Sequence, residues 1–313
     1  MKQRTIKESF SIKGKGLHTG LKTTITFRPA PIDFGYKIKR VDLKGSPVIK
    51  AYAENVINSQ RCTLLSVDGV QVATIEHALA ALYGCEIDNC LIEIDSPEFP
   101  ILDGSADIYV KNIHRVGFEE QAKERVYYEV DHTIEYFDTE TGSYLKLVPA
   151  DRFSVEVQIE FNSKVLPLQN AFLDNLSDFK DEISMCRTFV FIKEIENLLK
   201  TGLIKGGDLD NAIVIYDQLI QQVELDRLAD IMGIERRKID KTGYILNKPL
   251  VYPNEPARHK LLDVIGDISL VGKFIKGKII AICPGHRVNN LFARNIIKQM
   301  KTEQILETHG SFL

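Results

Sequence analysis

Apolar and polar positions alternate through most of the first third of the chain. RTIKESFSIKG and LKTTITFRPA carry β-branched and aromatic residues with a period of two, and HTG between them is a turn signal. GYKIKRV reads as a further strand. The period then changes. TIEHALAALYG spaces its apolar residues as a helix does and stops at Gly84. CLIEIDS returns to a strand, SPEFPILDG is a proline-punctuated loop, and SADIYVKNIHRVG is a second helix with Ser105 as its N-cap. After residue 125 the order recurs. Strands VYYEVDHTIEYF, SYLKLVPA and RFSVEVQIEFN precede helix RHKLLDVIGDISLVG, strand GKIIAICPG and helix VNNLFARNIIKQM.

A strands–helix–strand–helix unit therefore occurs twice. This predicts an α+β fold of two domains with similar topology, each a sheet with helices on one face. The charged run FEEQAKER lacks a periodic apolar face and marks the boundary, giving domains 1–122 and 123–313. Two segments fall outside the repeat. Residues from about 187 to 217 read as a βαβ insertion, with helix IKEIENLLKTG, a turn at Gly206-Gly207 and strand NAIVIYD. The stretch DQLIQQVELDRLADIMGIERRKID is charged and helical, and is expected to be solvent-facing decoration.

Composition narrows the class. The 313 residues are 44% hydrophobic and 27% charged, enough for a substantial core and, by length, about two domains. A net charge of −3 gives no basic field for nucleic acid or an anionic membrane. MKQRTIKESFSIKGKG is basic without the apolar core of a secretory signal, and no window approaches a membrane span. The five cysteines are irregularly spaced with no CxxC, which suits free thiols in a reducing cytoplasm. Any metal here would have to use histidine and carboxylate.

Candidate chemistry lies on the two first helices of the repeat and in the loops around them. ARHKLLDVIGD sets His259, Asp263 and Asp267 at successive i, i+4 steps, so His259 and Asp263 share a face with Cβ atoms ~5–6 Å apart. That separation suits two ligands of one cation, with zinc bonds of ~2.0–2.2 Å. Alone, the HxxxD spacing is more often an ordinary helix-surface pair. Glu76 and His77 are adjacent on a helix and point about 100° apart, so one can hold a metal while the other faces a water beside it. His77, His259 and Asp263 together make the three-ligand set of a catalytic site, with Glu76 as general base. The same donors also suit ferrous iron. His286, in PGHRVNN, follows a strand and precedes a helix, where catalytic residues collect. Asp103, in ILDGSA, is either a turn aspartate or the carboxylate that keeps His286 charged. His18, in GLHTG, is a turn residue or a rim residue.

These motifs occur in one order in a known family. HTG, TIEHALAALYG, ILDGSA, RTF, GLIKGGDLDNAIV, RHKLLDVIGD and PGH span nearly the whole chain. The chain resembles the UDP-3-O-acyl-N-acetylglucosamine deacetylases, zinc amidases that commit the lipid A pathway in Gram-negative bacteria. The resemblance implies a β-α-α-β sandwich of two domains, each a mixed sheet packed on two helices with a small insertion, and an active site between them. It implies zinc on His77, His259 and Asp263, Glu76 as base, His286 as protonated acid with Asp103 behind it, and Thr188 as donor to the oxyanion. Lys260 and Asp267 would be substrate and electrostatic partners. The insertion would form an apolar passage for the acyl chain, walled by Ile195, Ile204, Ala212 and Val214, with Leu17 at its mouth and Phe189 near the sugar. The substrate would be a UDP-linked acylated amino sugar, with hydroxamates as inhibitors. Cys283 stands where some relatives carry a basic residue that meets the nucleotide or diphosphate. Some relatives are fused to a dehydratase; the end at HGSFL leads us to expect a stand-alone or trimmed form. Two other readings stay open, a zinc amidase for another acylated amino sugar and a non-catalytic metal-containing binding protein.

Overall fold

The alternating segments build two five-stranded sheets with the same connectivity. In the computed structural model, which describes residues 1–58 and 61–310, the first sheet runs Phe10–Lys15, Lys22–Pro29, Cys90–Ile94, Tyr36–Arg40, Val48–Lys50. The second runs Ile134–Phe137, Tyr144–Val148, Lys278–Ile282, Ser154–Ile159, Gln169–Leu173. In each, the last strand in sequence inserts at the centre. It lies antiparallel to the unit's second strand and parallel to its third. Each sheet buries one face: along Ser154–Ile159 the buried residues are Val155, Val157 and Ile159, every second position.

Among the described residues, seven α-helices accompany the sheets: α1 (Glu76–Gly84), α2 (Asp107–Val116), α3 (Phe179–Glu182), α4 (Ile192–Lys200), α5 (Gln222–Met232), α6 (Glu255–Ile268) and α7 (His286–Gly310). All of α1 is buried, and so is most of α6, including the polar His259, Asp263 and Asp267 beside its apolar residues. The two pack on each other at the centre of the sandwich. Beyond α1, α6 rests on strands Ser154–Ile159 and Gln169–Leu173 and on α7, and α1 rests on α2. One hydrophobic core runs through both units.

The α1–α6 crossing depends on Gly266. A Cβ there would lie 2.2 Å from the carbonyl oxygen of Glu76, so only glycine lets the backbones come this close. The crossing brings Glu76 and His77 over the polar stripe of α6.

Three expectations change. FEEQAKER is not a linker. It is strand Phe118–Glu124, paired antiparallel with Lys2–Ile6, and it is charged because its side chains are mostly exposed. The boundary at 122 therefore cuts a strand that ties the end of the first unit to its start. VYYEVDHTIEYF is two strands: Tyr127–Glu129 pairs parallel with Phe274–Lys276, and Ile134–Phe137 forms a sheet edge. The charged stretch after residue 217 is not decoration. Leu225, Leu228 and Ala229 of α5 are buried, and Leu225 and Leu228 join Ile192, Ile195 and Leu198 of α4 in a second, separate core. The βαβ insertion itself forms as expected, with Phe189–Phe191 parallel to Ile213–Tyr216 across α4. A third strand, Gly243–Ile245, pairs with Ile213–Tyr216 on its other side. The first unit carries its own three-stranded insertion, Val56–Asn58, Leu64–Val67 and Val70–Ala73. Among the described residues, no helix is long and apolar enough to cross a membrane.

Gly266→Ala is expected to push α1 off α6. The overpacking costs about 1–3 kcal/mol, read as a melting temperature lowered by several degrees beside the wild type. Gly45→Ala, where a Cβ meets nothing within 4 Å although φ is positive, is a weaker perturbation away from the crossing.

Candidate active site

The α1–α6 crossing gathers His77, His259 and Asp263. Their donor atoms all lie within 4.8 Å of one another, and all three residues are buried. His259 Nε2 is 3.3 Å and His77 Nε2 3.8 Å from Asp263 Oδ1, with the two rings 5.0 Å apart and nearly perpendicular. The arrangement fits a cation on three observations. Asp263 Oδ1 is buried with no hydrogen-bond partner, an exposed lone pair that a protein interior rarely leaves. His259 Nδ1 faces the carbonyl of Cys186 at 3.0 Å, so that nitrogen carries the proton and Nε2 keeps its lone pair for a metal. Burial, reinforced by the neighbouring His259, holds His77 down at about 3, and burial likewise lowers His259, so both rings are neutral, the form that ligates. Burial works against the Asp263 carboxylate, but His259, Lys260, His286 and His77 hold it well below the usual range. Lys260 Nζ binds its other oxygen at 2.8 Å.

Glu76 sits beside this set. Burial, with Asp267 and Asp263 adding repulsion, pushes its carboxyl up to about 7, against the opposing pull of His286. The Thr63 amide donates to its Oε2 at 3.1 Å, leaving Oε1 facing His286 Nε2 at 3.8 Å. For His286, burial disfavours the charge, but Asp267, Asp263 and Glu76 outweigh it and raise the ring to about 9. The ring is therefore an imidazolium at neutral pH.

Its partner corrects the sequence reading. Asp267 Oδ2, not Asp103, lies 2.9 Å from His286 Nδ1. Asp267 also accepts from Asn289 Nδ2 at 2.9 Å and from the Thr63 hydroxyl at 2.5 Å. Asp103 turns back into its own loop, where Oδ1 accepts from the Ser105 amide and hydroxyl at 3.1 and 2.8 Å. It is the turn aspartate of the two alternatives. Its loop still supports the site, because the Gly104 carbonyl accepts from the amide of Thr188 at 2.8 Å.

A cavity of about 190 Å³ opens over these groups. Glu76, His77, Thr188, His259, Lys260, Asp263 and His286 line its polar end. Leu17, His18, Phe189, Ile195, Ile204, Ala212 and Val214 line it as well, most of them in the insertion. Asp103, Asp267 and Cys283 do not reach it. His18 is buried with both ring nitrogens unpartnered, and burial lowers its pKa, so it presents a neutral ring to the cavity.

Two buried carboxylates that the sequence reading missed hold the motif loops. Glu98 accepts from the amides of His18 and Thr19 and from the Thr74 hydroxyl, and so pins GLHTG against the start of α1. Glu255 takes the Arg187 amide and guanidinium at 2.8–3.1 Å, which fixes RTF beside α6. A glutamate between prolines in SPEFP was a visible sign for Glu98; nothing local marked Glu255 or Thr63.

With this geometry in hand, comparison with known proteins is decisive. A family model described as LpxC: UDP-3-O-acyl N-acetylglycosamine deacetylase matches residues 3–230 and 238–298. The chain belongs to this family. It is 57% identical over 303 residues to the bifunctional enzyme LpxC/FabZ of Porphyromonas gingivalis, covering 97% of this chain and 66% of that protein. It is 55% identical over 305 residues to the bifunctional enzyme of the same name from Bacteroides thetaiotaomicron, with the same coverages. The UDP-3-O-acyl-N-acetylglucosamine deacetylase of Myxococcus xanthus is 35% identical over 305 residues, 97% of this chain and 89% of that protein. The chain thus spans just under two thirds of the length of the two bifunctional relatives and most of the length of the third.

His259→Ala and Asp263→Ala are each expected to weaken metal binding by more than the roughly 10–100-fold that loss of an outer partner costs. Metal content by mass spectrometry after dialysis reads this: near one equivalent in the wild type and little in either variant. Equal content in all three would refute the assignment.

Proposed function

We propose that this chain hydrolyses the N-acetyl group of UDP-3-O-acyl-N-acetylglucosamine to acetate and UDP-3-O-acyl-glucosamine, the committed step of lipid A biosynthesis, as a cytoplasmic zinc enzyme. One observation carries the reading: a base and an acid whose pKa values are pushed apart face each other at 3.8 Å beside three open metal donors, at the head of an apolar cavity. His77, His259 and Asp263 would hold the zinc. When bound there, zinc supplies Lewis acidity, polarising the amide carbonyl and lowering the pKa of a water.

The chain's own residues supply the proton transfers. Glu76 Oε1 takes the proton of the attacking water. As the carbonyl carbon becomes tetrahedral, the Thr188 hydroxyl donates to the oxygen on which charge develops. Amine is a poor leaving group unless protonated, and His286 Nε2 delivers that proton. Asp267 keeps the ring charged and aimed, with Asn289 and Thr63 fixing Asp267 in turn. The separate environments of Glu76 and His286 favour a two-residue cycle over one in which Glu76 returns its own proton. Lys260, 5.4 Å from the centre of the Phe189 ring and paired with Asp263, would meet the sugar beside the donor set. The acyl chain would run from there into the insertion, past Ile195, Ile204, Ala212 and Val214, in the apolar part of the cavity.

Glu76→Ala is expected to lower kcat by at least ~10²-fold in an amine-release assay. Retained activity would dismiss Glu76 as base. The pH profile follows from the two pKa values. Glu76 works deprotonated, so activity falls below about pH 7, or lower once a bound dication stabilises the carboxylate. His286 works protonated, so activity falls above about pH 9. Asp267→Asn removes the first of the charges that raise His286 and should move the alkaline limb down by roughly a unit or more; it also removes a repulsion that raises Glu76, so the acid limb should move down as well. An unmoved alkaline limb would assign it to another group.

A further inference from the structure

Between its two matched stretches, the family model leaves seven residues of this chain unmatched, 231–237. They run from the last two residues of α5, Ile231 and Met232, into the turn beyond it. Gly233 ends α5 in the left-handed conformation, φ +65°, and the amide of Ile234 reaches back to the Ala229 carbonyl at 3.0 Å. This is a helix stop that folds the next apolar side chain back onto the helix. Met232 and Ile234 thereby come to lie together against the second core. Arg236 pairs with Asp230, while Arg237 donates to the Leu246 carbonyl at 2.9 Å and to the Asn247 side chain, so the turn is tied at both ends.

The place of this turn gives it a role. The active-site cavity reaches Met232 and Ile234 at its apolar end. A second chamber of about 50 Å³ lies beyond, lined by Leu225, Leu228, Ile239 and Ile245. Both spaces are bounded by Ile195, Leu209, Val214, Met232 and Ile234. Ile195 and Val214 belong to α4 and its sheet, which the family model covers. Met232 and Ile234 are the part of the partition contributed by the unmatched turn. The terminal methyl of Met232 hangs over Gly207, where a Cβ would sit 3.4 Å from it, so the side chain spans the passage to its opposite wall.

We infer that the turn 231–237 is a chain-length ruler: Met232 and Ile234 close the end of the acyl passage and set the longest acyl chain that this protein accepts. The inference rests on the reading of the cavity as an acyl-chain site. A chain that reaches Met232 gains free energy for each methylene buried; one that exceeds it must displace the thioether or leave its end in water. Methionine suits such a wall, since it is flexible enough to pack an irregular end and large enough to fill it.

The test measures kcat/KM for UDP-3-O-acyl-N-acetylglucosamines with straight acyl chains in two-carbon steps. Wild type should rise to an optimum and then fall. Met232→Ala joins the two chambers, and should raise kcat/KM on the chain two carbons beyond the optimum by roughly tenfold relative to the optimal chain. Ile234→Ala should move the optimum the same way, and serves alone if Met232→Ala does not fold. Met232→Leu, of similar volume, should leave the profile in place. Profiles of the two alanine variants that superimpose on the wild type would overturn the ruler. Displacement of a fluorescent fatty acid by free fatty acids of the same lengths separates the ruler from the catalytic reading. A wild type inactive on every chain length sinks the deacetylase assignment. The ruler then stands if fatty-acid affinity peaks at one length and that peak lengthens in Met232→Ala, and falls if it does not.

Discussion

The site exists because two buried helices touch backbone to backbone. At Gly266 the α6 surface is bare, and the first turn of α1 rests on it. A side chain of any size there would separate the helices, and with them His77 from His259 and Asp263. Ordinary helix packing keeps axes 8–10 Å apart with side chains between them. Here the interhelical layer is thinned at one point, and the polar residues stand around that point. The duplicated sheets serve the crossing from outside: each covers a helix pair with an apolar face, so neither α1 nor α6 needs a wet side.

Such a location makes every charge costly unless it is compensated. Glu76, Asp263, Asp267 and His286 are all under 9% exposed. Asp267 is the best satisfied, with His286, Asn289 and Thr63 as donors. Asp263 has Lys260 on one oxygen and nothing on the other. Glu76 has one amide and repulsion from two neighbouring carboxylates. The series runs from a settled anion, through a half-satisfied one, to one close to protonation at neutral pH. In the proposed mechanism, that gradient separates the supporting carboxylate from the one that would offer a lone pair and the one that would move a proton.

How much of this was legible depends on the range of the interaction. The i, i+4 stripe of α6 and the Glu76-His77 pair are local, and their residue types announced metal chemistry before any contact was known. The repeat of strands and helices was legible as an order of periods, and the shared insertion of each final strand into its sheet's centre agrees with it. The partner of His286 was not legible. Asp103 and Asp267 both stood near catalytic motifs, and only the crossing decides which carboxylate approaches a ring nitrogen. The strand Phe118–Glu124 was hidden because an exposed pairing with the N-terminal strand demands no apolar face. In α5 the charges drew attention, while the signal lay in Leu225, Leu228 and Ala229 at i, i+3, i+4, a narrow stripe that suffices for a helix covering only a small satellite core.

That satellite core has a physical consequence for how the molecule can vary. One face of the insertion packs on its own apolar cluster, while Phe191 and Ile215 of its short sheet join the core that runs through the sandwich. The smaller cluster is built by α4, α5 and their short sheet, and the insertion is anchored at its start, where the Thr188 amide bonds to Gly104 and Arg187 pairs with Glu255. Residues proposed to hold a proton or a cation need placement within a few tenths of an ångström, and they sit amid the larger core. Those proposed to line an acyl passage need only shape, and Ile195, Ile204 and Val214 sit in the smaller one. The turn at 231–237, which the family model does not match, sets Met232 and Ile234 against the smaller cluster, away from the helix crossing.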